Sequence, residues 1–431
     1  MSDRKETEEE RIRREGDGLD AEILADFENE TMESVGGDFD EEGGELADEA
    51  VNVGDYDDDE AAEMIGSSEP SGPDTSTRRY ARHTGPVYCG ALSKNESLFL
   101  SGSGDDTAHL WSAKDCGESF SVVLKGPHNE SVVSCGFSVD GSYCSTAALD
   151  GTICVWNAKT GELVHSPEGP GGEISFIQWH PRGSALLAGA SDGSAWLWEV
   201  EKSQYKFVQV FQGDSACTSG CFTVTGNSVL LGYESGEVAC WNPSTGAKPL
   251  SFSGHGWLDG PCNALVMQNL VDSSSSSAAA SVFCAGGMDG TARVASLSSG
   301  KILTTFEHDK SKSDDDPNAS VEAVAFSSVM PWLATGATDG TVKIWDLDAG
   351  APRGSALQCR GGVIKIDWVT NAPHLLCVST TQGVAHVFDV RTGGAPLRTF
   401  EGHKGMVLDI VPTKDELYTC GDDGLVRVYA L

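Results

Sequence analysis

The chain has 431 residues, 65 acidic against 29 basic side chains for a formal net charge of −36, and 51 glycines. Such a balance argues against sequence-independent binding to nucleic-acid phosphates, which takes Lys and Arg, and favours basic partners. No run approaches the ~20 apolar residues of a membrane helix, the start Met1-Ser2-Asp3-Arg4 lacks an apolar signal core, and the thirteen cysteines stand singly; a soluble protein of the cytoplasm, with the nucleus as an alternative, is expected.

The first segment is the most acidic. Residues 1–77 hold 28 acidic and five basic residues, a net of −23, which leaves −13 for the rest. Beyond the cluster Asp55–Glu60 the segment has few apolar residues, so it cannot bury enough surface to offset the entropy of ordering. An acidic disordered arm is therefore predicted over 1–75. Within it Ile12, Leu19, Ile23, Leu24 and Phe27 partly follow helical spacing, interrupted by Gly16 and Gly18, which predicts a short helix formed only on binding.

From residue 83 the sequence repeats. Each unit ends in a β-rich run with an aromatic residue: Trp111, Trp156, Trp198, Trp241, Trp345, Phe388 and Tyr429, with Ala295 in the fifth place. The two long intervals contain insertions at Ser273–Ser277 and Asp309–Asn318. Six residues before each of these positions stands a turn residue: Asp105, Asp150, Asp192, Ser235, Asp289, Asp339, Gln382 and Asp423. The next residue is Gly in every unit but the first, where it is Asp106. Asp-Gly between two β-rich runs marks a hairpin, because Gly adopts positive φ without steric cost. Four short strands per unit, with no helical stretch, predict an all-β, eight-bladed propeller over 76–431.

With Gly254-His255, Gly402-His403 and Trp345-Asp346 in register, the units resemble WD40 repeats. The resemblance implies a hydrogen-bonded set of His, Ser or Thr, turn Asp and Trp in a blade. Blade one offers His83, Ser101, Asp105 and Trp111; blade two offers His128, Thr146, Asp150 and Trp156; blade eight offers His403, Thr419 and Asp423, with Tyr429 for Trp. Such a set satisfies buried polar groups. The chain reaches Leu431 after the third strand of blade eight, so Ser76–Ala81 is expected to supply the fourth strand and cover the open edge.

No P-loop, GxSxG, HExxH or paired-cysteine zinc spacing is present. Cys217 and Cys221 form a Cys-x3-Cys without a second pair and are read as small buried apolar residues. No catalysis, cofactor or metal is expected.

The runs Ile177–Arg182, Leu186–Trp198, Gly232–Gly236 and Ser320–Ala323, with the acidic arm, resemble one WD40 branch in particular, that of angio-associated migratory cell protein and its yeast ribosome-assembly chaperone relative. That resemblance implies a dedicated chaperone for a basic large-subunit ribosomal protein of the L-ten type, held by its N-terminal segment, with no direct nucleic-acid or membrane contact and a monomeric propeller. Acids near the start of the first strands, Glu130, Glu173, Asp259, Glu322 and Asp409, are candidates to hold a cationic client by charge-assisted hydrogen bonds. A scaffold or adaptor in signalling or ubiquitin-ligase complexes is the alternative, and a histone-handling role a third.

Overall fold

The computed structural model describes residues 73–201, 204–268, 281–308 and 319–431. The arm, its candidate helix and both insertions lie outside the described residues, apart from the last residues assigned to the arm, 73–75. Among the described residues the secondary structure is strand, in eight antiparallel sheets that follow one another along the chain.

The innermost strands are Val87–Leu92, Val132–Phe137, Ile174–Trp179, Cys217–Phe222, Cys262–Met267, Val321–Phe326, Val363–Trp368 and Val407–Pro412. Each leads outward through two or three further strands. The outermost strand of blade six is split into Ala351–Pro352 and Leu357–Gln358. Eight apolar clusters fill the eight interfaces between blades; Leu100, Leu110, Val132 and Trp156 pack between blades one and two, for example. The fifth unit is a complete blade despite its missing Trp. Ala295 is fully buried, and Trp257 and Phe252 from the preceding blade pack on Phe283 beside it.

The ring closes as the sequence predicts. Strand Arg78–Tyr80 pairs antiparallel with Val426–Ala430, with Arg79 opposite Arg427. Tyr80 is 2% exposed and stacks on Trp111 at 4.4 Å. Asp74 and Thr75 also reach blade eight: Asp74 pairs with Arg427 at 2.6 Å, and Thr75 N donates to Glu401 O.

The turn chemistry explains the repeated Asp-Gly. Gly151, Gly193, Gly236, Gly290, Gly340, Gly383 and Gly424 all have φ between 71° and 83°. Asp106 adopts φ 63° at the same place, a conformation Asp tolerates better than most residues.

Three polar sets have the predicted members, with two altered linkages. In blade one His83 hydrogen-bonds Asp105 (3.0 Å) and Ser101 (2.9 Å), and Trp111 Nε1 donates to Ser101. In blade eight His403 bonds Asp423 (2.8 Å) and Thr419 (2.7 Å), while the Tyr429 hydroxyl donates to Glu401 O instead. In blade two His128 meets Thr146 at 2.9 Å but reaches Asp150 only through the Thr152 hydroxyl, which donates to that carboxylate. Blade six carries a fourth, unpredicted set, in which His308 bonds Thr335 and Thr341 and Trp345 Nε1 donates to Thr335. The other Gly-His match fails: His255 is exposed, and Trp257 is the residue that goes inward, its Nε1 donating to Gly236 O at 2.9 Å.

Candidate functional site

Pairing fixes which loops share a face. Val87 lies opposite Ser103, Val132 opposite Ala148 and Val407 opposite Gly421. The loop leading into each inner strand therefore sits beside the Asp-Gly turn of the same blade. These loops form one face of the ring, here the turn face.

Three of the five candidate acids, Glu130, Glu173 and Asp259, are exposed on the turn face. Glu322 is half-buried and accepts from Asn263 Nδ2 at 3.0 Å. Asp409 corrects the sequence reading. It is 7% exposed, accepts from Gly90 N (2.8 Å) and Ile410 N (2.8 Å), and pairs with Lys365. Its carboxylate is an internal counter-charge. Burial works against the Lys365 ammonium, yet Asp409 outweighs it and holds the lysine above its ordinary value.

Sequence reasoning missed a second group of exposed acids on the same face: Asp106, Asp192, Asp214, Glu234, Asp339 and Asp422. All but Asp214 are at or beside turn positions, read from the sequence as structural alone. At Asp192 and Asp339, which no histidine bonds directly, the carboxylate remains exposed while accepting from the hydroxyl two residues on. The exposed bases of the turn face, Arg82, Lys125, Arg360 and Lys404, sit in the loops leading into blades one, two, seven and eight.

A ring of side chains marks the inner strands themselves. In all eight, the pairing slips by one residue between the first and third positions. The extra residues are Tyr88, Val133, Ser175, Thr218, Asn263, Glu322, Ile364 and Leu408. Each is more exposed than the buried residue before it. Such bulges re-aim a side chain and raise the local twist. Beside them, polar links join neighbouring inner strands: Ser134 Oγ accepts from Ile177 N, Gln178 Oε1 from Phe222 N, and Cys262 O from Thr218 Oγ1. Asp409 makes two of these links, to blade seven through Lys365 and to blade one through Gly90.

Replacing Asp409 with Ala should therefore lower stability rather than affinity. The change leaves Gly90 N–H without its acceptor and Lys365 without its counter-ion. Lys365 has 42% of its side chain accessible and can rehydrate, so the cost is set at about 2 kcal/mol, below the range for a fully buried pair. Urea denaturation measures it; an unchanged midpoint would contradict this role.

The cysteine pair does not converge on a ligand. Cys217 packs between blades three and four, and Cys221 between blades four and five. Burial raises both thiols, Cys221 to about 12. Among the described residues no group of three or more His, Cys, Asp or Glu is placed to hold a metal ion.

Comparison with known proteins agrees with this architecture. The family profile described as "WD domain, G-beta repeat" matches residues 74–112, 119–157, 161–199, 300–346 and 394–430. Human angio-associated migratory cell protein is 30% identical over 380 residues, covering 85% of this chain and 82% of the relative, and the dog protein matches equally. The chain belongs to the angio-associated migratory cell protein branch of the WD40 family. Ribosome assembly protein SQT1 of Saccharomyces cerevisiae is 25% identical over 398 residues, covering 86% of this chain and 89% of that one. The fold is similar to the crystal structure of S. cerevisiae Sqt1, at TM-score 0.72 and 23% identity, over 83% of this chain and 99% of the other. It is also similar to Chaetomium thermophilum Sqt1 bound to the N-terminus of the ribosomal protein L10, at TM-score 0.71 and 20% identity, over 83% and 100%.

Proposed function

We propose that this WD40 propeller is a non-catalytic chaperone that holds the basic N-terminal segment of a large-subunit ribosomal protein of the L10 class before assembly. The observation that carries the reading is the turn face, where exposed acids crowd the loops around the inner-strand ring. Acids gathered on one face steer a cationic segment and bind it by charge-assisted hydrogen bonds. The SQT1 relative, named for ribosome assembly, supports the client class. The protein acts as a monomer in the cytoplasm, with the nucleus as a second location, and makes no direct contact with nucleic acid.

Affinity purification at two salt concentrations tests the proposal. The L10-class protein should be enriched at low salt and released as ionic strength rises toward about 0.5 M, because the contacts are screened. Glu322→Lys should weaken binding about tenfold. Absence of that client, or equal binding by the variant at low salt, would refute the proposal.

One observation favours the adaptor reading instead. On the outer rim, Leu163, Tyr205 and Phe207 are exposed, with the Phe207 ring 5.5 Å from Trp196 and the Tyr205 ring 5.5 Å from His165. A partner held there would stay bound at high salt, so the same purification separates the two readings.

A further inference from the structure

The ring of extra residues on the inner strands divides in two. Ile364, Leu408, Tyr88 and Val133 come from consecutive blades, seven, eight, one and two, and all are apolar or aromatic. Ser175, Thr218, Asn263 and Glu322 come from blades three to six, and all are polar. Eight equivalent positions thus sort by chemistry into two continuous arcs.

Solvent exposure gives the apolar arc its meaning. Tyr88 is 37% exposed, and Met406, immediately before the inner strand of blade eight, is 40% exposed. Single exposed apolar residues are ordinary, but a contiguous group at the rim of a binding face marks a contact surface. Charge follows the same division. The polar arc is backed by the exposed acids Glu173, Asp192, Asp214, Glu234, Asp259 and Asp339, whereas beside the apolar arc the bases Arg82, Lys125, Lys404 and Arg360, the last paired with Glu401, offset the acids Asp106, Glu130 and Asp422. A ligand that was cationic throughout would gain nothing from the apolar arc and little from the balanced charges beside it.

We infer that the turn face takes a two-sided peptide, with basic residues over blades three to six and one aliphatic or aromatic side chain seated on Tyr88, Leu408 and Ile364. The inference rests on the basic-client reading and adds the residue that lets the propeller choose among basic segments. Charge supplies encounter and orientation; burial of one apolar anchor supplies discrimination.

The test uses the full chain and fluorescence anisotropy with a labelled Arg-Gly-Ser repeat peptide. Matched peptides carry one Leu in place of Ser, moved through the Ser positions in turn. At least one Leu peptide should bind about tenfold tighter than its parent, the gain of burying one such side chain. Tyr88→Ser combined with Leu408→Ser should abolish that gain, so that the Leu peptides bind no tighter than their parent. Glu322→Gln should weaken every peptide and keep the gain. If the double variant unfolds, Tyr88→Ser alone carries the comparison. No gain at any position, or a gain that survives the apolar substitutions, overturns the two-sided ligand and leaves the basic client standing. Failure of the parent peptide to bind the unaltered chain at low salt overturns the basic-client reading itself.

Discussion

A chain that begins at residue 82 should fail to form a stable propeller, whereas one that begins at residue 73 should melt like the full chain. The difference lies in one short segment. Removing Arg78–Tyr80 strips the fourth strand from blade eight and exposes the edge of Val426–Ala430. It also removes the Tyr80 ring from between blades eight and one, a loss of about 2–3 kcal/mol of burial. Arg427, with its side chain 4% accessible, loses Asp74 and keeps only Asp423 and the Gly402 carbonyl. Losing one charged hydrogen-bond partner costs a buried guanidinium about 1.5–3 kcal/mol. With the lost strand pairing, the combined loss reaches the lower part of the stability of an ordinary domain, on the order of 5–15 kcal/mol.

Single substitutions divide that loss. Tyr80→Ala should cost about 3–5 kcal/mol, as large-to-small changes at buried aromatic sites do. Tyr80→Phe keeps the stack on Trp111 and loses only the hydroxyl contacts to His109 Nδ1 (3.0 Å) and Ser121 Oγ (2.8 Å), for about 1 kcal/mol. Thermal denaturation of the two truncations and two point variants decides the matter. A chain starting at residue 82 that melts with the full chain would show that the ring does not depend on this strand.

The blades were legible because each is built on a local rule. A turn that needs positive φ calls for Gly, and in blades one, two and six a buried indole finds a hydroxyl ten residues earlier; both leave fixed spacings in the chain. Where spacing broke, the reading failed. His308 lies 27 residues before Thr335, against 18 between His83 and Ser101, because the Asp309–Asn318 insertion falls between. His255 had the right neighbour and the wrong orientation, since the larger Trp257 two residues on takes the buried place. The Thr152 relay in blade two was hidden for another reason: a hydroxyl two residues after the turn Asp occurs in several blades and does not announce that a histidine will use it.

The turn face was only half legible. Acids placed by loop position, Glu130, Glu173 and Asp259, are exposed there. The burial of Asp409 depends on Lys365 of the neighbouring blade and on Gly90 across the closure, and neither contact can be read from nearby sequence. The two arcs of the inner ring were invisible for the same reason. Tyr88 and Glu322 become equivalent only when the pairing slip in each inner strand is known, and that slip is a property of two paired strands rather than one.

Acid should loosen this propeller well before its carboxylates titrate. His109 and His386 are each 4% exposed and are pushed down from 6.5 to about 4, His109 by burial and by His83 stacked at 4.0 Å, and His386 by burial and by the Arg360 charge. Burial also lowers His83, His128 and His180; Asp105 partly opposes it at His83, and Asp150 and Asp106 at His128. These rings are neutral in the fold and ionise more readily in the unfolded chain. Their contribution is therefore complete above about pH 6.5 and is lost as pH falls toward 4, where the unfolded state binds the extra protons. Each fully titrated shift of the size at His109 and His386 is worth on the order of 3 kcal/mol. Below that window Asp105, Asp150, Asp289 and Asp423, held under the ordinary 3.8 by hydrogen bonds that outweigh the opposing cost of burial, extend the loss. Urea midpoints should thus be level from pH 8 to about 7 and fall steeply between about 6.5 and 4, and His109→Gln should shallow the slope by about one proton. A midpoint that stays level down to pH 5 would mean that these histidines already carry their protons in the folded ring.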